Sequence, residues 1–132
     1  MAHEISGRDR TLTYRPREVT IDDGTRLVHT SLGGDLESVW AGDLGDRYVE
    51  VVHLGDGPVG GELVLVDPTT DTVLVGDLYT DEAPSPNPAW PATIDLVLGL
   101  LTATTTVVTS DGTVDREAVE AFHQRLLGAL HD

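Results

Sequence analysis

The stretch HLGDGPVGGELVLVDPTTDTVLVGDLY, residues 53–79, decides the fold. Within Gly61-Glu62-Leu63-Val64-Leu65-Val66 and Thr72-Val73-Leu74-Val75, residues 63–66 and 73–75 are apolar at successive positions. Successive side chains of a strand point to opposite faces, so both segments read as strands covered on both sides. Asp67-Pro68-Thr69-Thr70-Asp71 joins them as a turn in which Pro fixes φ. The second strand ends at Gly76-Asp77. A paired unit of this kind belongs inside a layered domain, because each of its two apolar faces needs a partner layer.

Upstream the pattern stays β-like. Arg47 to Leu54 reads as a strand, preceded by the turn Gly42-Asp43-Leu44-Gly45-Asp46. Leu36 to Ala41 reads as another, preceded by Gly33-Gly34-Asp35. Glu18-Val19-Thr20-Ile21 and Arg26-Leu27-Val28-His29-Thr30 alternate on either side of Asp22-Asp23-Gly24, a hairpin signature. Residues 1–10 are polar and read as a frayed terminus, leaving residues 11–132 as a single domain. Downstream, Ala83-Pro84-Ser85-Pro86-Asn87-Pro88 cannot lie inside a sheet, since each Pro removes a donor. A helix is expected from about Pro91 to Leu101. Its residues Ile94, Leu96, Val97, Leu98, Leu100 and Leu101 leave little polar face, so it reads as mostly buried. Thr104-Thr105-Thr106-Val107-Val108 is a β-branched strand. A last helix runs from about Asp115 to Leu130 with Val119, Phe122, Leu126 and Leu130 on one face. Strands followed by helix, strand, helix make an α+β domain.

The chain has 132 residues, 23 acidic against 8 basic, for a formal net charge of -15. Every basic residue is Arg and Cys is absent, which excludes disulfides, thiolate metal sites, cysteine nucleophiles and lysine Schiff bases. The acidic balance argues against nucleic acid and anionic membranes as partners, because both are bound through cations. No apolar run approaches the roughly 18–20 residues of a membrane-spanning helix. The first ten residues lack the apolar core of a signal peptide, so a cytoplasmic location is expected.

From about Val49 to Leu130 the chain resembles the C-terminal half of a metallo-β-lactamase-fold hydrolase. The resemblance rests on HLGDGPVGGELVLVDPTTDTVLVGDLY, the Pro-rich loop, WPATIDLVLGLL, TTTVVTSDG and DREAVEAFHQRLLGAL, taken in order. It implies half of an αββα sandwich, with the N-terminal β-rich region in place of the missing half. Active members of that family hold zinc or iron with imidazoles and a carboxylate, and the metal activates a water. The resemblance places the histidine of a Gly-His-Thr loop on Pro58, the bridging carboxylate on Asp77 and the histidine of a Pro-Gly-His-Gly turn on Asp111. The family's His-x-His-x-Asp-His motif is absent, since His3, His29, His53, His123 and His131 are not so spaced.

The retained carboxylate makes Asp77 the leading metal candidate, with Asp56 and Asp111 as helpers. Three carboxylates without imidazole would suit calcium or magnesium better than zinc. The alternative for Asp77 is a turn cap bonded to backbone N–H groups. His53 and Trp90 are candidate ligand-binding residues. Their alternatives are a buried strand histidine and a tryptophan buried over the helix start. Ser110 lacks a nucleophile-elbow context, and Gly55-x-Gly57 lacks the third glycine of a dinucleotide loop. The expected function is a non-catalytic domain with a structural, binding or regulatory role and no resident cofactor. The alternatives are a divalent-metal hydrolase with a rebuilt carboxylate site around Asp77, and a small-molecule binder using the remnant cleft. A half-sandwich also leaves one sheet face to be covered, either by the N-terminal β region or by a second copy, and a homodimer is the expectation.

Overall fold

The computed structural model describes residues 2–28, 37–55, 57, 62–80 and 88–131. Its first four strands, β1 (His3–Ser6), β2 (Thr11–Arg15), β3 (Glu18–Ile21) and β4 (Arg26–Val28), form an antiparallel sheet in that order. We call it the N-terminal sheet. Six more strands form the main sheet: β5 (Glu37–Asp43), β6 (Tyr48–His53), β7 (Val64–Asp67), β8 (Thr72–Gly76), β9 (Thr106–Thr109) and β10 (Gly112–Val114). Their spatial order is β10-β9-β8-β7-β6-β5, all pairs antiparallel except β8 with β9. Helix α1 (Trp90–Leu98) lies within the β8-to-β9 connection, as a parallel pair requires, and α2 (Arg116–His131) follows β10. The domain is thus α+β, with two sheets and two helices.

Three layers follow from the two faces of the main sheet. Val64, Val73, Val75 and Val107 point to one side and pack with Ile94 and Val97 of α1 and with Val119, Phe122 and Leu126 of α2. Leu65, Leu74, Val108, Val49 and Val51 point to the other side and pack against Ile5, Leu12, Tyr14, Val19 and Ile21 of the N-terminal sheet. Strands β2 and β3 alternate buried and less buried residues, as a sheet with one wet face must. The double cover expected of residues 62–66 and 73–75 is therefore present, and it comes from the same chain. The argument for a second copy rested on an uncovered face, and burial of the main sheet does not call for one.

Four local expectations change. Residues 3–6, expected to fray, form β1, because Ile5 is buried and His3 to Ser6 pair in register with Tyr14 to Thr11. Helix α1 is not buried all round: Leu96 is 39% exposed, since α1 packs on the sheet and α2 through one side only, and Leu100, 36% exposed, lies beyond the end of the helix at Leu98. Strand β10 is additional to the expected elements. It pairs with β9 across the two-residue turn Ser110-Asp111, with Gly112 at φ +149°. The fourth, Trp90, belongs to the site described below. His29 and Thr30, expected to extend a strand, and Leu36 lie outside the described residues.

Helix ends are closed by named groups. The Asp115 carboxylate accepts from the Ala118 N–H at 2.9 Å, the geometry of an N-cap. Asp115→Ala is expected to cost about 1 kcal/mol in a urea unfolding titration. At the C-terminal end of α1 the Val97 and Leu98 carbonyls accept from the Leu100 and Leu101 N–H groups at 2.9 and 3.1 Å. The Arg116 guanidinium donates to the Leu98 and Leu101 carbonyls at 2.9 and 2.5 Å and also bonds Glu120 at 2.9 Å. One arginine thereby ties the two helices together.

Candidate functional site

Asp77 follows β8 at the end of the main sheet, and its carboxylate is engaged on both oxygens. The Ser110 hydroxyl donates to Oδ1 at 2.5 Å. An Arg17 guanidinium nitrogen stands 3.6 Å from Oδ2. Ser110 reaches Asp77 because β9 runs parallel to β8, and its N–H donates to the Gly76 carbonyl at 3.2 Å. Arg17 arrives from the opposite layer. It sits in the two-residue turn Pro16-Arg17 between β2 and β3, where Arg15 and Glu18 are the closing pair.

That turn is fixed on the main sheet. The Leu63 N–H donates to the Pro16 carbonyl at 2.7 Å. The Tyr14 hydroxyl donates to the Leu63 carbonyl at 2.7 Å. Gly76 has φ +56°, and a Cβ there would lie 2.9 Å from the Tyr14 hydroxyl and 3.0 Å from the Pro16 ring, so glycine is required on both conformational and steric grounds. Burial pushes the Tyr14 phenol far above its ordinary value, and the nearby Asp77 and Glu62 carboxylates push it the same way. Tyr14 is thus a permanently protonated donor. Tyr14→Phe leaves the buried Leu63 carbonyl without it and is expected to cost about 1–3 kcal/mol by urea denaturation.

Glu62 is fully buried beside this turn, and the Gly57 N–H donates to its Oε2 at 3.2 Å. A Cβ on Gly57 would lie 2.5 Å from a Leu78 methyl. Gly57 is thereby held against Glu62 and Leu78. Asp56 and Pro58 themselves lie outside the described residues.

Of the other sequence-derived candidates, Asp111 follows Ser110 directly in the chain. Asp111 is the second residue of the β9–β10 turn; it is exposed and its N–H donates to the Thr109 hydroxyl at 3.1 Å. His53 is buried at the end of β6. Trp90 is a core residue rather than an exposed contact: its indole N–H donates to the Leu78 carbonyl at 2.9 Å, and its ring meets Phe122 edge-on at 5.4 Å. A hydrogen-bonding carbonyl and an aromatic partner inside the fold explain why it is not left in the Pro-rich loop. A shallow groove of about 410 Å³ lies on the helix side, lined by Leu98, Glu117, Glu120, Ala121, His123 and Gln124, and it includes none of these candidates.

The donor set around Asp77 does not suit a divalent cation. One carboxylate oxygen faces a guanidinium and the other accepts from a hydroxyl, where a cation needs oxygens that are free to turn toward it. Among the described residues no group of three or more His, Asp or Glu side chains could hold a metal. The sequence reading missed Arg17, Tyr14 and Glu62. The spacing of these residues carries no motif, and their approach to Asp77 depends on how the N-terminal sheet folds over. No family model matches the chain, and no curated protein matches it significantly. Among the described residues no helix is long and apolar enough to cross a membrane.

Proposed function

We propose that this chain is a non-catalytic domain of metallo-β-lactamase-like type, with a structural, binding or regulatory role in the cytoplasm. The observation that carries the reading is the state of Asp77: its two oxygens are occupied by Arg17 and Ser110 of the same chain. Metal-assisted hydrolysis needs a cation that polarises a bond or generates hydroxide from water. A carboxylate already paired with an arginine is a poor foundation for it. Support also comes from the run β6, β7, β8, α1, β9 and α2, which follows the order of the resembled half with β10 added to it. On this reading the four-stranded N-terminal sheet, which packs on the main sheet, would stand in place of the other half.

The test is hydrolysis of simple esters, phosphodiesters and β-lactams with added magnesium, manganese or zinc. The expected result is that the wild-type chain and Asp77→Asn give the same background rate. A metal-dependent rate abolished in Asp77→Asn would overturn the reading in favour of a rebuilt carboxylate site. Specific thermal stabilisation by a small molecule would instead specify a binding role, since a ligand at 100 times its dissociation constant adds about 2.7 kcal/mol. The homodimer is a separate proposal read by light scattering. A mass of two chains supports it, and 14.1 kDa removes it.

A further inference from the structure

We infer that Arg17 is the resident cation of the Asp77 position, a built-in guanidinium that keeps divalent ions off this carboxylate. The inference rests on the non-catalytic reading and deepens it by naming the residue responsible.

Arg17 is an exposed residue that is brought to Asp77 by its backbone. Its backbone belongs to a turn held on the main sheet by the Leu63-to-Pro16 hydrogen bond of 2.7 Å and flanked by the Tyr14-to-Leu63 bond of 2.7 Å. The Pro16 ring lies so close to Gly76 that no side chain fits between them. The residue after Pro16 is therefore delivered next to the residue after Gly76. Both ends of the ion pair are positioned by backbone contacts. The pair remains partly open to solvent, Arg17 at 48% and Asp77 at 37%. Its net contribution to stability is correspondingly small, so its effect is on local charge. Five of the eight arginines lie at positions 8, 10, 15, 17 and 26, in or beside the N-terminal sheet. The layer that covers the main sheet also supplies the cation.

A divalent ion approaching Asp77 meets a neighbouring guanidinium that repels it, and an oxygen already accepting from Ser110. Removing the charge of Arg17 while keeping its polarity opens Oδ2. Other surface acids will attract cations to a chain of net charge -15, so the readout must be local.

The experiment is a manganese titration of ¹⁵N-labelled protein followed residue by residue through paramagnetic broadening. Wild type, Arg17→Gln, Arg17→Lys and the double variant Arg17→Gln/Asp77→Asn are compared. The expected result is no selective broadening of the Gly76, Asp77, Leu78 and Ser110 amides in wild type or Arg17→Lys. Selective broadening appears in Arg17→Gln and is lost in the double variant. If Arg17→Gln stays as silent as wild type, Arg17 is not what excludes the cation and the inference fails, while the non-catalytic reading stands. If wild type itself broadens selectively at these amides, both fail. Should Arg17→Gln not give a dispersed folded spectrum, Arg17→Ser/Ser110→Ala replaces it, and the same outcomes decide.

Discussion

Trp90→Ala is expected to destabilise the fold by about 3–5 kcal/mol, a large share of a typical margin of about 5–15 kcal/mol. Trp90 is among the largest fully buried side chains. Its ring lies edge-on to Phe122 at 5.4 Å, and Phe122 also meets Tyr79 at 5.0 Å and carries the Arg125 guanidinium 5.2 Å from its ring centre. Removing the indole opens a cavity between α1, α2 and the segment after β8, and leaves the Leu78 carbonyl without its donor. Trp90→Phe keeps most of the volume and loses the N–H, so it is expected to lie between wild type and Trp90→Ala. Urea unfolding followed by circular dichroism checks both. Equal stability of Trp90→Ala and wild type would place the indole outside the core and restore its candidacy as a contact residue.

Asp67→Ala is expected to cost a similar amount, about 3–5 kcal/mol, because it leaves a partly buried guanidinium without its counterion. Asp67 is buried at the end of β7 and bonds Arg47, which precedes β6. Its other oxygen accepts from the Thr69 N–H at 3.1 Å. Arg47 also donates to the Ser6 carbonyl of β1 at 3.1 Å. The pair thus joins two strands of the main sheet to the edge of the N-terminal sheet. The double variant Arg47→Met/Asp67→Leu removes both charges and is expected to be much closer to wild type than Asp67→Ala. Denaturant midpoints of the three proteins check this. A neutral Asp67→Ala would mean that water, not Asp67, satisfies Arg47.

The layered core was legible because its signal is local. Val64 with Leu65, and Val73 with Leu74, sit on opposite faces, and the sequence shows apolar residues at all four. Helix α2 was legible for the same reason, through Val119, Phe122 and Leu126. Leu96 was misread because an apolar helix residue does not reveal which side has a neighbour, and Leu100 because the helix ends before it at Leu98. Strand β1 was missed because only Ile5 of its four residues is buried, too short a stretch for alternation to register. Strand β10 had a signal in Ser110-Asp111-Gly112, a hairpin turn flanked by β-branched residues. The resemblance drew that turn toward a ligand role for Asp111 instead.

Of the candidate site, Asp77 was legible as a residue but not in its surroundings. Its partner Arg17 is 60 positions earlier in the chain, in a turn whose sequence, Arg15-Pro16-Arg17-Glu18, reads as an ordinary solvated hairpin. The packing of Leu12, Tyr14 and Val19 against the main sheet, with the Leu63-to-Pro16 hydrogen bond, brings that turn to β8. Contacts of such long sequence separation leave no periodic trace. For the same reason Glu62, apolar on both sides in sequence, gave no hint that its carboxylate would turn inward to Gly57.

The most direct measurement is the metal content of the wild-type chain and Asp77→Asn, purified without chelator and analysed by elemental mass spectrometry. The expected result is far less than one ion of any divalent metal per wild-type chain, unchanged in Asp77→Asn. One tightly held ion per wild-type chain, lost in Asp77→Asn, would contradict the assignment of Arg17 and Ser110 as the partners that complete this carboxylate.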